Sequence, residues 1–368
     1  MNDGDLVLTV DGNTIGGWEE VRVTRGIERC PNDFAIRTSE RWPGELKSVV
    51  IKPGDACVIG IKNRNVVSPL VTGYVDRYSP SIAAGQHSIA ISGRGKCQDL
   101  VDCAAEYPSG AFKNMTVQAI AQALASNFSG GIKVICDVPT EALPSFPLSY
   151  GETAFEVIDR ICRYRKLLAY ETPEGNLYLT GPSQKHAKSA LVEGKDAKGN
   201  PGNVQAASVH YSMDQQFSIY KAYLSAINVY NDAANSDAVL SAVPPVSDGS
   251  VTRYRPHIAI IDSMDAGLQV SKDRLTWECN RRRGRSQQLH VTVNSWRDAD
   301  GSLWEPNRLV GVNIPTLRIV NQTWLISEVT YVRNNQGGTT CEMVVMPQEA
   351  FAREPLVFLP TNLIDLRQ

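Results

Sequence analysis

At 368 residues, with hydrophobic side chains at 42% and charged ones at 21%, the chain has room for roughly two to four packed domains and is too apolar to be disordered. A formal net charge of −2 excludes a bulk polycation, and with it tight general binding to nucleic acid. Eight cysteines without a CxxC pair and five histidines without HxH or HExxH spacing give no support to a disulfide framework, a zinc site or metal catalysis.

No apolar run approaches the roughly 18 residues of a membrane span, so membrane insertion is not expected. The acidic start Met1-Asn2-Asp3-Gly4-Asp5 has neither the basic nor the apolar part of a secretory signal, so synthesis and folding in a cytoplasm are expected. Residues 6–95 read as short strands separated by turns, among them 6–10, 21–25, 34–38, 56–61, 70–75 and 87–92. That rhythm fits an antiparallel barrel or sandwich. Residues 79–86, rich in Ser, Pro, Ala and Gly, read as a loop. In 21–25, apolar Val21 and Val23 alternate with basic Arg22 and Arg25 around Thr24.

From 96 to 183 the pattern becomes α/β. Val117, Ile120, Ala121, Leu124 and Phe128 recur at helical spacing behind Thr116, a candidate N-cap, and Gly130-Gly131 ends the run. Phe155, Ile158, Ile161 and Cys162 mark a second helix, followed by a hairpin turning at 173–176. Strands return at 208–211 and 226–230. Residues 231–256 read as a long loop, and a helix is expected over 272–283. Strands resume from 289 to about 346, and the tail 347–368 is expected to run along a neighbouring surface.

Three passages stand out: 73–105, with the words GYVD and SGR…DLVD; 151–180, a helix and hairpin; and 295–312, SWRDADGSLWEPNRLVGV. Together, in this order, they resemble the baseplate hub proteins of Mu-like contractile phage tails. The resemblance implies an α+β multidomain chain with two similar antiparallel β-barrels. The first barrel would occupy 1–95 and a small α/β domain 96–183. The second barrel would span 184–230 and 286–346, interrupted by a loop-and-helix insertion at 231–285 and followed by a C-terminal extension at 347–368. It also implies a non-enzymatic homotrimer in the virion baseplate, assembled in the bacterial host cytoplasm. Its partners would be the tail tube, spike and other baseplate proteins, with DNA passing through a channel without specific binding. A tailocin or type VI secretion-like hub would share these features, although no hexapeptide or nonapeptide repeat marks a fused spike.

The sequence carries a faint internal echo as well. Lys52-Pro53-Gly54-Asp55 parallels Glu305-Pro306-Asn307-Arg308, and Val71 parallels Leu325 at an offset of 325 − 71 = 254 that carries Ile89 and Ile91 to Met343 and Val345. The pattern alone leaves duplication open.

Chemistry is harder to find. Ser92-Gly93-Arg94-Gly95-Lys96-Cys97 lacks the first glycine and the magnesium-binding hydroxyl of a phosphate loop. Gly73 and Asp76 lie on the strand before it, and Arg94 is placed to pair with Asp99 or Asp102 and fix a domain junction. Asp99 and Asp102 form the one acid pair suggestive of a cell-wall hydrolase, but such acids usually cap or balance a helix start. The run Arg281-Arg282-Arg283-Gly284-Arg285 suits a helix end, a protein interface or a DNA contact. Trp296 and Trp304, with Pro306 just beyond, suit hairpin packing or an interface anchor. No catalytic, cofactor or metal residue is expected.

Overall fold

The computed structural model describes residues 4–39, 51–63, 66–84, 86–195, 199–224, 244–261 and 268–352. The first seven strands are β1 (Asp5–Val10), β2 (Asn13–Ile15), β3 (Glu20–Gly26), β4 (Asp33–Ser39), β5 (Ala56–Asn63), β6 (Val66–Ala83) and β7 (Gln86–Gly95). All their pairings are antiparallel, in the order β3-β4-β7-β6-β5-β1-β2. Residues 79–83, expected as loop, continue β6 because their backbone pairs with β7 out to Ala83↔Gln86. Pro80 is tolerated there because proline survives in a sheet where one side of the strand is unpaired.

The α/β part contains α1 (Gln98–Asp102), β8 (Ala111–Met115), α2 (Val117–Ala125), β9 (Val134–Cys136), β10 (Leu143–Pro147), α3 (Ala154–Tyr164), β11 (Leu168–Glu171) and β12 (Leu177–Thr180). Thr116 caps α2 by accepting the Ala119 N–H at 3.2 Å. Thr153 and Glu156 form a reciprocal capping box at the start of α3. The apolar stripes of the two helices, Ile120, Leu124, Ile158 and Ile161 among them, bury against Val134, Leu177 and Leu179 in a core separate from the large sheet.

The remaining elements are β13 (Leu191–Val192), β14 (Val204–Tyr211), β15 (Ile219–Leu224), β16 (Val246–Ser247), β17 (Pro256–Ile261), α4 (Leu268–Arg285), β18 (Gln287–Val293), β19 (Leu309–Ile314), β20 (Ile319–Asn334) and β21 (Gly338–Met346). β15 lies in the stretch expected to join the second barrel. It pairs instead with β16 and, in parallel, with β17, and this small sheet packs Tyr220, Ala222 and Ala259 on Leu275 and Cys279 of α4. The strand expected at 226–230, the first half of the loop at 231–256 and the tail beyond 352 lie outside the described residues.

The larger sheet holds a repeat in its hydrogen-bond register. The order β3-β4-β7-β6-β5 recurs as β14-β18-β21-β20-β19, antiparallel throughout. Ile59↔Val71 precedes a bulge in the first unit, and Val312↔Gln322 precedes one in the second, giving offsets of 312 − 59 = 253 and 322 − 71 = 251. Val75↔Gly93 and Ile326↔Val345 precede a second pair of bulges, with offsets of 326 − 75 = 251 and 345 − 93 = 252. The turns match too. Gly54 N–H donates to Val75 O at 2.7 Å and Asn307 N–H to Ile326 O at 2.8 Å, with both donors at positive φ.

The proline echo of Pro53 and Pro306 therefore sits in register, whereas the offset of 254 misplaces the long strand by three residues. Val71 corresponds to Gln322 and Ile91 to Met343. Two closed barrels are not found among the described residues. The path runs open from β14 to β2, because the second half of β20, still paired with β21 on one edge, pairs Glu328–Arg333 on its other edge with Gly26–Val21 of β3. That junction merges the apolar faces of both units into one core, in which Val23, Ile36 and Ile91 share a cluster with Val291, Ile326 and Met343.

Candidate assembly site

The stretch from β6 to α1 brings three of the sequence-predicted residues together. Arg94 on β7 donates to Asp76 on β6 at 2.7 Å and grips both oxygens of Asp102 on α1 at 2.7 and 3.1 Å. One guanidinium fork thus ties the first sheet to the first turn of the α/β part. Asp99 is not part of the clamp, and burial, followed by the charge of Asp102, raises its carboxyl pKa. With both Asp102 oxygens engaged by Arg94, the acid pair does not present two free carboxylates to a substrate. Gly73 faces Gly95 across β6 and β7. A Cβ on Gly73 would run into the Arg94 carbonyl, so this crossing needs glycine.

A residue that the sequence reading passed over, Glu171 at the end of β11, holds the same junction from inside. It is 1% exposed, and its two oxygens accept the backbone N–H groups of Asn32 and Cys97, each at 2.8 Å. Asn32 returns a side-chain bond to the Glu171 carbonyl at 3.1 Å. A Cβ on Gly95 would occupy the carboxylate's place. Burial outweighs the two N–H bonds and the charge of Arg25, and lifts the Glu171 pKa to about 7. Arg25 departs from expectation as well: the alternation of β3 suggests an exposed basic residue, yet it is 6% exposed, opposite Val329 in the β3–β20 junction. Neither residue has a local signal, because long-range pairing buries both.

Pro306 leads into Asn307, whose side chain accepts the Ser183 N–H at 2.8 Å and donates to Tyr170 and Gly181, each at 3.2 Å. These bonds lace the connection after β12 to the start of β19. Trp296 and Trp304 are both core residues. The Trp296 indole N–H is shared by the carbonyls of Val332 and Thr340 at 3.0 and 2.9 Å. Both rings are buried within the chain's own core, an arrangement that suits hairpin packing.

The arginine run closes α4 against the chain's own surfaces. Arg281 donates to the carbonyls of Ala350 and Ala352 at 3.2 Å and lies over Trp277. Arg282 pairs with Glu278 at 2.8 Å and covers Phe217, and Arg285 pairs with Glu28. Arg283 is exposed and bonds Asn280 at 3.0 Å. Such engagement suits a helix-end clamp better than a DNA-facing patch. No helix among the described residues is long and apolar enough to cross a membrane.

Comparison with known proteins agrees with this organisation. Residues 5–95 match the N-terminal model of the Mu phage baseplate assembly protein GpP-like family. Residues 97–181 match the second domain of the baseplate hub protein gp44-like family, and 267–354 the fourth domain of the Mu phage baseplate assembly protein GpP. The chain is 30% identical over 352 residues to the baseplate hub protein gp44 of Escherichia phage Mu, covering 94% of this chain and 88% of the relative. The 43 kDa tail protein of prophage MuSo2 from Shewanella oneidensis superposes with a TM-score of 0.80 at 28% identity, over 95% of this chain and 99% of that one. A tail protein from Neisseria meningitidis MC58 shares the fold, with a TM-score of 0.77 at 19% identity over 95% and 98% of the two chains. On these matches, the chain belongs to the family of baseplate hub proteins of Mu-like phage tails.

Proposed function

We propose that the chain is a structural, non-enzymatic hub that assembles as a homotrimer and couples the tail tube to the spike. Each subunit contributes two β-modules, 1–95 and 184–211 with 286–346, the small β15–β16–β17 sheet standing apart from the second. Three subunits then present six similar modules to a six-fold tube and three-fold symmetry to a spike. The enclosed channel passes DNA during ejection without specific binding. The α/β part at 96–183 and the small sheet of β15, β16 and β17 with α4 sit outside this repeat. The Asp76–Arg94–Asp102 clamp and the Arg281–Arg283 helix end hold these parts in fixed relation.

The observation that carries this reading is the shared register of β3-β4-β7-β6-β5 and β14-β18-β21-β20-β19, with coincident bulges. Light scattering on the purified chain tests it. A molar mass of three times 40.3 kDa is expected, and a stable monomer at high concentration overturns it.

A further inference from the structure

The internal repeat also identifies which edges are left for a neighbouring copy. Among the described residues, one strand pairing joins the two units: β20 of the second pairs with β3 of the first, through Glu328↔Gly26 to Arg333↔Val21. Each unit therefore has one edge of the β20 kind and one of the β3 kind, and the junction uses one of each. The unused pair follows from the register. The counterpart of Glu328–Arg333 is residues 77–82 of β6, at the offset of 251. The counterpart of β3 is β14, since Val21↔Ile36 corresponds to Ala207↔Val291, an offset of 207 − 21 = 186. Among the described residues, residues 77–82 pair only with β7, and β14 pairs only with β18 at the end of the sheet.

We propose that β6 of one subunit pairs antiparallel with β14 of the next copy, repeating the β20–β3 junction between chains and closing the ring. Carrying the offsets across puts Arg77 opposite Ser212, Tyr78 opposite Tyr211, and Ser79 opposite His210. The ladder continues with Pro80 opposite Val209, where proline supplies no N–H and one rung of the ladder is forgone, then Ser81 opposite Ser208 and Ile82 opposite Ala207. The resulting pairs alternate: Tyr78/Tyr211, Pro80/Val209 and Ile82/Ala207 are apolar or aromatic and share one face, while Arg77/Ser212, Ser79/His210 and Ser81/Ser208 are polar and share the other.

The apolar face continues the core, because Tyr78, Ala207 and Val209 already pack against it. The arrangement also accounts for two exposed side chains, Ile82 at 81% and Tyr211 at 54%. Their counterparts within the chain, Arg333 and Arg25, lie in the β20–β3 ladder, where Arg25 is 6% exposed. An unpaired, partly apolar strand edge is a template for another chain. A head-to-tail contact of this kind gives a closed ring when its rotation closes.

This inference rests on the trimeric reading, and the test separates the two. Ser81 and Ser208 are both exposed and would sit directly opposite, within disulfide reach for facing antiparallel residues. In a chain carrying Cys103→Ser, the double variant Ser81→Cys/Ser208→Cys is oxidised mildly and run on a denaturing gel without reductant, with light scattering in parallel. Covalent trimer from the double variant, and no cross-link from either single variant, supports the pairing. Scattering at trimer mass with no cross-link, or with linkage moved to an off-register control, Ser81→Cys/Tyr211→Cys, overturns the edge assignment and leaves the trimer standing. Self-linking by Ser81→Cys alone overturns the head-to-tail arrangement. A monomer by scattering overturns both.

Discussion

Glu171 is the residue at which electrostatics and architecture meet. Its carboxyl, with a pKa of about 7 in the fold against the ordinary 4.5, keeps a proton that the unfolded chain releases over that interval. The folded state binds more protons there, so its stability is highest below pH 4.5, falls as pH rises through 4.5 to 7, and then levels off. The loss is on the order of 3 kcal/mol. Glu171→Gln should remove this component: urea midpoints of wild type and variant, measured from pH 4.5 to 8, should converge as pH rises. Parallel curves would show that the carboxylate is not desolvated as its burial indicates. Gln can offer an oxygen to only one of the two N–H groups from Asn32 and Cys97, so the variant should also be weaker at low pH by about 1–3 kcal/mol. Arg94 belongs to the same junction but is partly exposed, and its worth is chiefly geometric. Arg94→Lys should therefore lose the two-oxygen grip on Asp102 despite keeping the charge.

Two helices show how far element-level reasoning reaches. The cap of α2 at Thr116 and the buried stripe from Val117 to Leu124 are legible in the sequence because both depend on neighbours within a few residues. Thr153 is legible by the same logic, since Glu156 stands three residues on, and Thr153→Ala should cost about 1 kcal/mol in thermal or urea unfolding. Gly284 in α4 sets two effects against each other. Alanine in a helix interior normally gains about 1 kcal/mol over glycine. Here a Cβ would lie 2.5 Å from Ala350 N and 2.9 Å from its Cα, backbone atoms of a segment fixed by Arg281 and the buried Phe351. Collision should win, and Gly284→Ala should lower the melting temperature.

The reach of β6 to Ala83, the β15–β17 parallel pair and the burial of Arg25 were not legible in this way. Each depends on a partner strand far along the chain, and Ser, Pro and Ala in 79–83 give no local strand signal. The repeat was legible at its turn, where Pro53 and Pro306 lead residues of positive φ. It blurred along the strands because β-alternation fits equally well when slipped by an even number and, with bulges present, can survive an odd one.

For the whole molecule, the proposed trimer would link folding to assembly through the open sheet ends. A trimer covering the edges of β6 and β14 would form only from folded chains, so on that reading apparent stability should follow protein concentration. Mass action for three chains adds about 0.9 kcal/mol per protomer for each tenfold rise in concentration, two thirds of the tenfold free-energy factor. For a chain of this length, that corresponds to a rise in melting temperature of roughly 1–2 °C per tenfold. Ile82→Glu offers a sharp comparison. The side chain is 81% exposed in the single chain, so a carboxylate there has almost nothing to disturb in the isolated fold. In a β6–β14 ladder, it would sit on the apolar face opposite Ala207, beside Pro80/Val209, where a charge is costly to desolvate. Melting curves over two decades of concentration should slope upward for wild type and lie flat for Ile82→Glu, with the two meeting at low concentration, where both are monomers. A variant that melts lower at every concentration by a constant amount would place Ile82 in the subunit's own core, and an unchanged slope would place the contact between copies elsewhere.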